Sequence, residues 1–226
     1  MKKLLPIGIS DFKKLREQNF IYVDKTEYIY KLITEGGGYY FLSRPRRFGK
    51  SLLISTIEYL FKGQKDLFKE LYIYNKWNWE EKYPVVRIDF IKTQVRDEKE
   101  LEKELRATII ETGKKYRYKY NKEYTINRNF ELLIERIYEG SKKQVVILID
   151  EYDKPILDNI EKKEEVERIK EVLKGFYTTL KGLDRYIRFV LVTGVSKFAK
   201  VSLFSGLNPL KDISLDERYG NICGYT

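Results

Sequence analysis

Gly49-Lys50-Ser51 is the group in this chain best suited to chemistry, because it sits where a strand-like apolar run, Tyr39-Tyr40-Phe41-Leu42, gives way to a helix-like run from Leu52 to Phe61. At such a junction the backbone N–H groups of the turn and the positive helix N-terminus face an anion. A lysine there reaches the outer phosphates of a nucleotide, and a hydroxyl holds Mg²⁺. Read back from Gly49, the phosphate-binding loop (P-loop) pattern G-x-x-x-x-G-K-S/T puts its first glycine at Arg44, the one position that departs from it. Pro45 disfavours α geometry at Arg44, so the strand should run one residue further before turning. Arg46, Arg47, Phe48, Gly49, Lys50, Ser51 and Leu52 are therefore the candidate nucleotide-binding residues. Two arginines inside the loop could clamp a triphosphate, face a neighbouring subunit, or simply be solvated.

Two further chemical groups follow apolar runs. Val145-Val146-Ile147-Leu148-Ile149 leads straight into Asp150-Glu151, and Phe189-Val190-Leu191-Val192 into Thr193-Gly194. Ligands of open α/β sheets bind past the carboxyl ends of the strands, where Lys50, Asp150-Glu151 and Thr193 would all lie. Phosphoryl transfer to water needs charge neutralisation and an oriented nucleophile, so a lysine, Mg²⁺ and a carboxylate are the expected parts. Lys50 is assigned to the β- and γ-phosphates, Ser51 to Mg²⁺ directly, and Asp150 to Mg²⁺ through its hydration shell. Glu151 is assigned to polarising the attacking water, and Thr193 to bonding that water or the γ-phosphate. The plainer alternatives stay open: carboxylates that end a strand and cap a helix, and a β-branched residue that finishes a strand.

These groups need a sheet to hold them. The spacing predicts strands at Pro84 to Phe90, Val145 to Ile149 and Phe189 to Val192, besides the one at Tyr39. It predicts helices over Asp97 to Tyr120, Phe130 to Glu139 and Lys163 to Gly182, and a short one over Tyr28 to Ile33 that stops at Gly36-Gly37-Gly38. Asp24-Lys25-Thr26-Glu27 has the form of a capping box for that short helix. Runs apolar on both faces, alternating with helices, indicate an α/β fold with a doubly wound, mostly parallel sheet.

The 226 residues suit one large domain, and no Pro/Gly/Ser-rich linker divides them. With 42% apolar and 35% charged residues, and no apolar run near the ~20 residues that span a bilayer, membrane insertion is not expected. Met1-Lys2-Lys3 is followed by no hydrophobic signal region, so a cytoplasmic setting is expected. There are no histidines and one cysteine, Cys223, so a bound metal should be held by oxygen, which suits Mg²⁺. The net charge of +10 favours anionic partners, a nucleotide or a nucleic acid. The basic-aromatic run Lys114-Lys115-Tyr116-Arg117-Tyr118-Lys119-Tyr120 reads as a solvated amphipathic helix end or as a nucleic-acid stacking platform. Asp158 with Glu161-Lys162-Lys163 imitates a nuclease signature, but its segment reads as a helix start with no hairpin to converge carboxylates on a metal.

Four segments, Tyr22 to Thr26, Ser43 to Ser51, Leu148 to Pro155 and Thr193 to Phe198, together resemble the bacterial AAA-ATPase-like family over nearly the whole chain. The resemblance implies a P-loop NTPase three-layer sandwich of the additional-strand, catalytic-glutamate type with strand order 5-1-4-3-2, the sensor strand lying between the P-loop and Asp150 strands. It also implies ATP and Mg²⁺ as ligands, ATP hydrolysis serving as motor or switch for a partner domain, and possible homo-oligomers. Family members carry a lid and a PD-(D/E)XK nuclease-like domain after the segment resembling Leu210 to Thr226. Residues 1–226 are thus expected to be the ATPase part, with any nucleic-acid contact made through a domain beyond it. A nucleotide-sensing or assembly module that does not hydrolyse, and a nucleic-acid-binding module, are the alternatives.

Overall fold

Alternate residues of each central strand belong to two different cores, one on each face of a single sheet. Tyr39, Phe41, Ile147, Ile149, Val190 and Val192 lie in one core, and Tyr40, Leu42, Val146, Leu148, Phe189 and Leu191 in the other. This is the period-two consequence of the pleat in strands covered on both faces. In the computed structural model, which describes residues 4–36, 38–91, 94–197, 203–204, 207 and 209–224, the strands are β1 (Tyr39–Ser43), β2 (Val85–Asp89), β3 (Val145–Asp150), β4 (Ile187–Gly194) and β5 (Lys211–Asp212). All pairs are parallel and the order is β2-β3-β4-β1-β5, which is the expected 5-1-4-3-2 seen from the other edge. The β4 strand lies between the P-loop strand and the Asp150 strand, as the resemblance implies.

Helices form the outer layers. On one face are α4 (Glu98–Tyr116), α5 (Ile126–Ser141) and α7 (Lys163–Gly182); on the other are α1 (Phe12–Glu17), α2 (Thr26–Thr34) and α3 (Lys50–Phe61). The short α6 (Lys154–Leu157) joins β3 to α7. The spacing of Phe130, Leu133, Ile134 and Ile137 explains α5, because i, i+3, i+4 and i+7 make one apolar stripe. Its start is set by Thr125, whose hydroxyl accepts from Arg128 N at 3.2 Å. Burying each such side chain contributes about 1.5–3 kcal/mol, so the two cores hold the sheet flat against both helix layers.

Several boundaries differ from expectation. The helix predicted to reach Tyr120 ends at Tyr116, because Arg117 adopts left-handed backbone with φ +56° and closes α4 onto the Gly113 carbonyl. Tyr116 and Tyr120 therefore do not share a helix face. The capping box does not form: α2 starts at Thr26 behind Lys25, and Asp24 instead accepts from Thr26 N and Oγ1 and from Tyr72 N, tying α2 to the segment after α3. Helix α3 begins earlier than predicted and includes Lys50 and Ser51. Both α1 and β5 lack a sequence signal, being too short to show a period. Gly37 and Phe198 lie outside the described residues. Among the described residues no helix is long and apolar enough to cross a membrane.

Candidate nucleotide-binding site

Strand register builds the site. Ser43 at the end of β1 pairs with Gly194, Leu42 with Thr193, Ile149 with Val192, and Asp89 with Asp150. The carboxyl ends of four adjacent strands thus finish level, and their polar residues meet at one edge. The β1 ladder runs one residue further, as Pro45 suggested: Arg44 N donates to the Gly194 carbonyl at 3.1 Å.

The loop then turns through left-handed backbone at Arg47 (φ +65°) and Gly49 (φ +82°) before entering α3. Alternation of this kind folds successive N–H groups into an anion-binding concavity. No side chain caps α3, so its first-turn N–H groups remain available to a ligand. Arg44 stands in place of the usual first glycine and serves the structure. Its guanidinium donates to the Ser43 and Ser214 carbonyls, while Ser43 N donates to Ser214 Oγ at 2.9 Å. The arginine fastens the segment after β5 to the base of the loop. Arg46 and Arg47 are exposed, and neither has an ion pair or hydrogen bond among the described residues.

Lys50 is only 3% exposed, and all three of its donors are used. Its ammonium donates to the carbonyls of Arg44 (3.0 Å) and Pro45 (3.1 Å) and pairs with Glu151 Oε1 at 3.1 Å. A phosphate arriving at Lys50 must displace one of these acceptors. Glu151 is the displaceable one, since it is a side chain at 17% exposure rather than loop backbone. Its own backbone is left-handed at φ +55°, a conformation costing about 1–3 kcal/mol that persists only where the surroundings impose it. Burial pushes the Glu151 pKa up, and the neighbouring ammonium of Lys50 opposes that rise.

Asp150 is fully buried behind Ser51. Thr193 Oγ1 donates to Asp150 Oδ1 at 2.7 Å, whereas Oδ2 has no hydrogen-bond donor and lies 3.6 Å from Arg87 Nη2. Burial raises the Asp150 pKa, the Thr193 and Ser51 hydroxyls lower it, and the Asp89 carboxylate raises it again. A buried carboxylate oxygen without a donor, beside a serine hydroxyl and among oxygen ligands only, fits a small hard cation such as Mg²⁺. Ser51 and Asp150 would hold that ion, and both offer oxygen. Thr193, with no exposed surface, gives its hydroxyl proton to Asp150 and so orients that carboxylate.

Six contributors went unnoticed in the sequence. Arg87 bridges Glu58, Asp89 and Asp150 at 3.3, 3.1 and 3.6 Å. Asp89 ends the strand-like run Val85-Val86-Arg87-Ile88 as Asp150 ends its own, so its place at a strand end could have found it. The carboxylate of Asp153 accepts from Val195 N and Ser196 N, Tyr152 Oη donates to the Ser196 carbonyl at 2.9 Å, and Tyr152 N donates to the Thr193 carbonyl. These bonds lock the turn carrying Glu151 to the end of β4, and they require Gly194, where a Cβ would sit 2.4 Å from the Tyr152 ring. Cys223, buried beside Arg44, Lys50 and Lys25, and Gly224, packed against Phe48, bring a fourth segment to the loop.

Known proteins resemble the chain to different degrees. A curated relative, an uncharacterised protein in the vnfD 5' region of Azotobacter chroococcum mcd 1, is 44% identical over 226 residues, all of this chain but only 43% of the relative. The chain therefore spans less than half the length of that relative. Among solved structures, Cdc6p from Pyrobaculum aerophilum aligns over 94% of this chain and 47% of its own, with 10% identity and a TM-score of 0.40. The model of the family described as predicted AAA-ATPase matches residues 6–204, and the chain belongs to that family of ATP-binding P-loop ATPases.

Proposed function

We propose that the chain binds Mg-ATP at this corner and hydrolyses it, with Lys50, Ser51, Asp150 and Glu151 as the acting residues. The observation that carries the proposal is the Lys50–Glu151 pair, because it joins the phosphate-binding lysine to the carboxylate needed to activate water. Lys50 neutralises the outer phosphates, and the uncapped N–H groups of α3 hold the remaining phosphate oxygens. Mg²⁺, when bound by Ser51 and Asp150, supplies positive charge to the phosphates. Phosphate drawn to Lys50 breaks the pair and frees Glu151 to accept the proton of the attacking water. Thr193 keeps Asp150 oriented throughout.

The same step supports a role as motor or switch for a partner domain in the cytoplasm. Releasing Glu151 acts on the Tyr152-Asp153 turn, which is bonded to the end of β4. Phosphate release from Mg-ATP, wild type against Glu151→Gln, tests hydrolysis directly, and equal rates would remove Glu151 from the chemistry. The exposed Arg46 and Arg47, which have no ion pair or hydrogen bond among the described residues, favour a second reading, in which a neighbouring copy completes the site. Turnover that rises with protein concentration and is lost in Arg47→Ala would select it.

A further inference from the structure

The connection from α4 to α5 builds a second cationic site, far from Lys50. Helix α4 carries the chain from the ligand end of the sheet back to its amino end, about 28 Å for 19 residues. There Tyr116 lies beside Val85, the first residue of β2. Beyond it, residues 113–122 contain Lys114, Lys115, Arg117, Lys119 and Lys122 and no acidic residue.

This loop is held in place. Asn129, fully buried on α5, accepts from Tyr118 Oη (2.9 Å) and Asn121 N (2.8 Å) and donates to the carbonyls of Asn121, Tyr124 and Thr125. Tyr118 N closes on the Gly113 carbonyl at 2.9 Å, and only a glycine fits there, since a Cβ would lie 2.8 Å from Tyr118 O. The result is a pocket of about 310 Å³ lined by Ile110, Lys114, Tyr118, Lys119, Tyr120 and Lys122. Among the described residues no ion pair involves Lys114, Lys119 or Lys122. The Arg106 guanidinium lies 5.8 Å from the centroid of the Tyr120 ring.

We infer that this pocket binds single-stranded nucleic acid, through its phosphate backbone and one base. The ammonium groups of Lys114 at the end of α4 and of Lys119 and Lys122 on the rigid loop after it, with no ion pair among the described residues, match a polyanion with repeated charges, whose counterions they release. Lysines are point charges without a fork, which suits backbone phosphates read without sequence preference. Half-buried tyrosine rings beside Ile110 offer the flat apolar surface that an unstacked base fills and an acidic peptide does not. The site is independent of the nucleotide corner.

Fluorescence anisotropy of a labelled oligothymidylate, with Mg-ATP saturating, tests this. Wild type should bind with an affinity that falls steeply as salt rises. The variant Lys114→Glu/Lys119→Glu/Lys122→Glu should bind at least tenfold more weakly, with a log–log salt slope smaller by about two. The single exposed change Lys119→Ala should reduce the slope by about 0.7. Arg46→Ala/Arg47→Ala should leave oligonucleotide binding within twofold of wild type. Unchanged affinity and slope in the lysine variants would overturn the site. Equally tight binding of duplex, or displacement of the oligonucleotide by stoichiometric inorganic triphosphate, would overturn its assignment to a single strand. Mg-ATP affinity, measured on the same samples, separates a failure here from a failure of the nucleotide site.

Discussion

Apart from the exposed Arg46 and Arg47, the two ends of the sheet treat positive charge in opposite ways. At the carboxyl end Lys50 has three acceptors, Arg44 has two carbonyls, and Arg87 is surrounded by Glu58, Asp89 and Asp150. At the amino end Lys114 on the last turn of α4 and Lys119 and Lys122 on the fixed loop after it have no carboxylate paired to them among the described residues. Charge that is already paired can change partner, so it suits switching between two arrangements. Unpaired charge on a rigid frame has nothing to exchange and serves attraction.

The sharpest way to break this comparison is Glu151→Gln. Removing the water-polarising carboxylate should lower the ATP turnover rate by about 10²-fold or more. ATP affinity should hold or tighten, because the amide competes less well for Lys50. A weaker affinity in equilibrium titration would mean that Glu151 supports the loop instead of exchanging partners. Lys50→Met comes next: losing charged hydrogen bonds worth about 1.5–3 kcal/mol should weaken Mg-ATP about 10- to 150-fold in calorimetry. Unchanged affinity would remove the loop from phosphate binding altogether. Oligonucleotide binding at the amino end should survive both substitutions.

How much of this was legible depended on whether a signal was local. The central strands β1, β3 and β4 were readable because strands buried on both faces are apolar runs, and the helix of Lys163–Gly182 was readable from its length and period. Their order came from resemblance, since periodicity does not encode neighbours. The meeting of Lys50 and Ser51 with Asp150 and Glu151 was legible, because the first pair stands between a strand-like and a helix-like run and the second directly follows an apolar run. The role of Arg44 was not legible, as its partner Ser214 is 170 residues away. Nor was the hydrogen bond that turns Thr193 toward Asp150, because register alone brings those two together. The end of α4 was misjudged because Arg117 is a good helix former, and Asn129, thirteen residues past Tyr116, fixes the loop that stops it.

Asn129 therefore holds the amino-end frame. Asn129→Ala leaves the Tyr118 hydroxyl and several backbone groups without partners, and should cost about 1–3 kcal/mol in denaturant unfolding. Oligonucleotide affinity should fall with the loop's order while Mg-ATP affinity stays. Loss of both together would show that the two ends are coupled.

The smallest effect is expected at Arg87, and its sign is informative. Its guanidinium stands 3.6 Å from Asp150 Oδ2, the carboxylate oxygen that has no hydrogen-bond donor. It therefore repels any cation that Asp150 receives. Arg87→Met keeps the packed stem but removes that charge, leaving Asp89, Glu58 and Asp150 less opposed. Partly exposed charges interact by about 1 kcal/mol or less, so Mn²⁺ affinity, read by electron paramagnetic resonance, should rise only a few-fold. If Arg87 instead held the carboxylates in place for the ion, Mn²⁺ would bind more weakly in the variant. The direction of the change thus separates a charge that competes with the metal from one that supports its ligands.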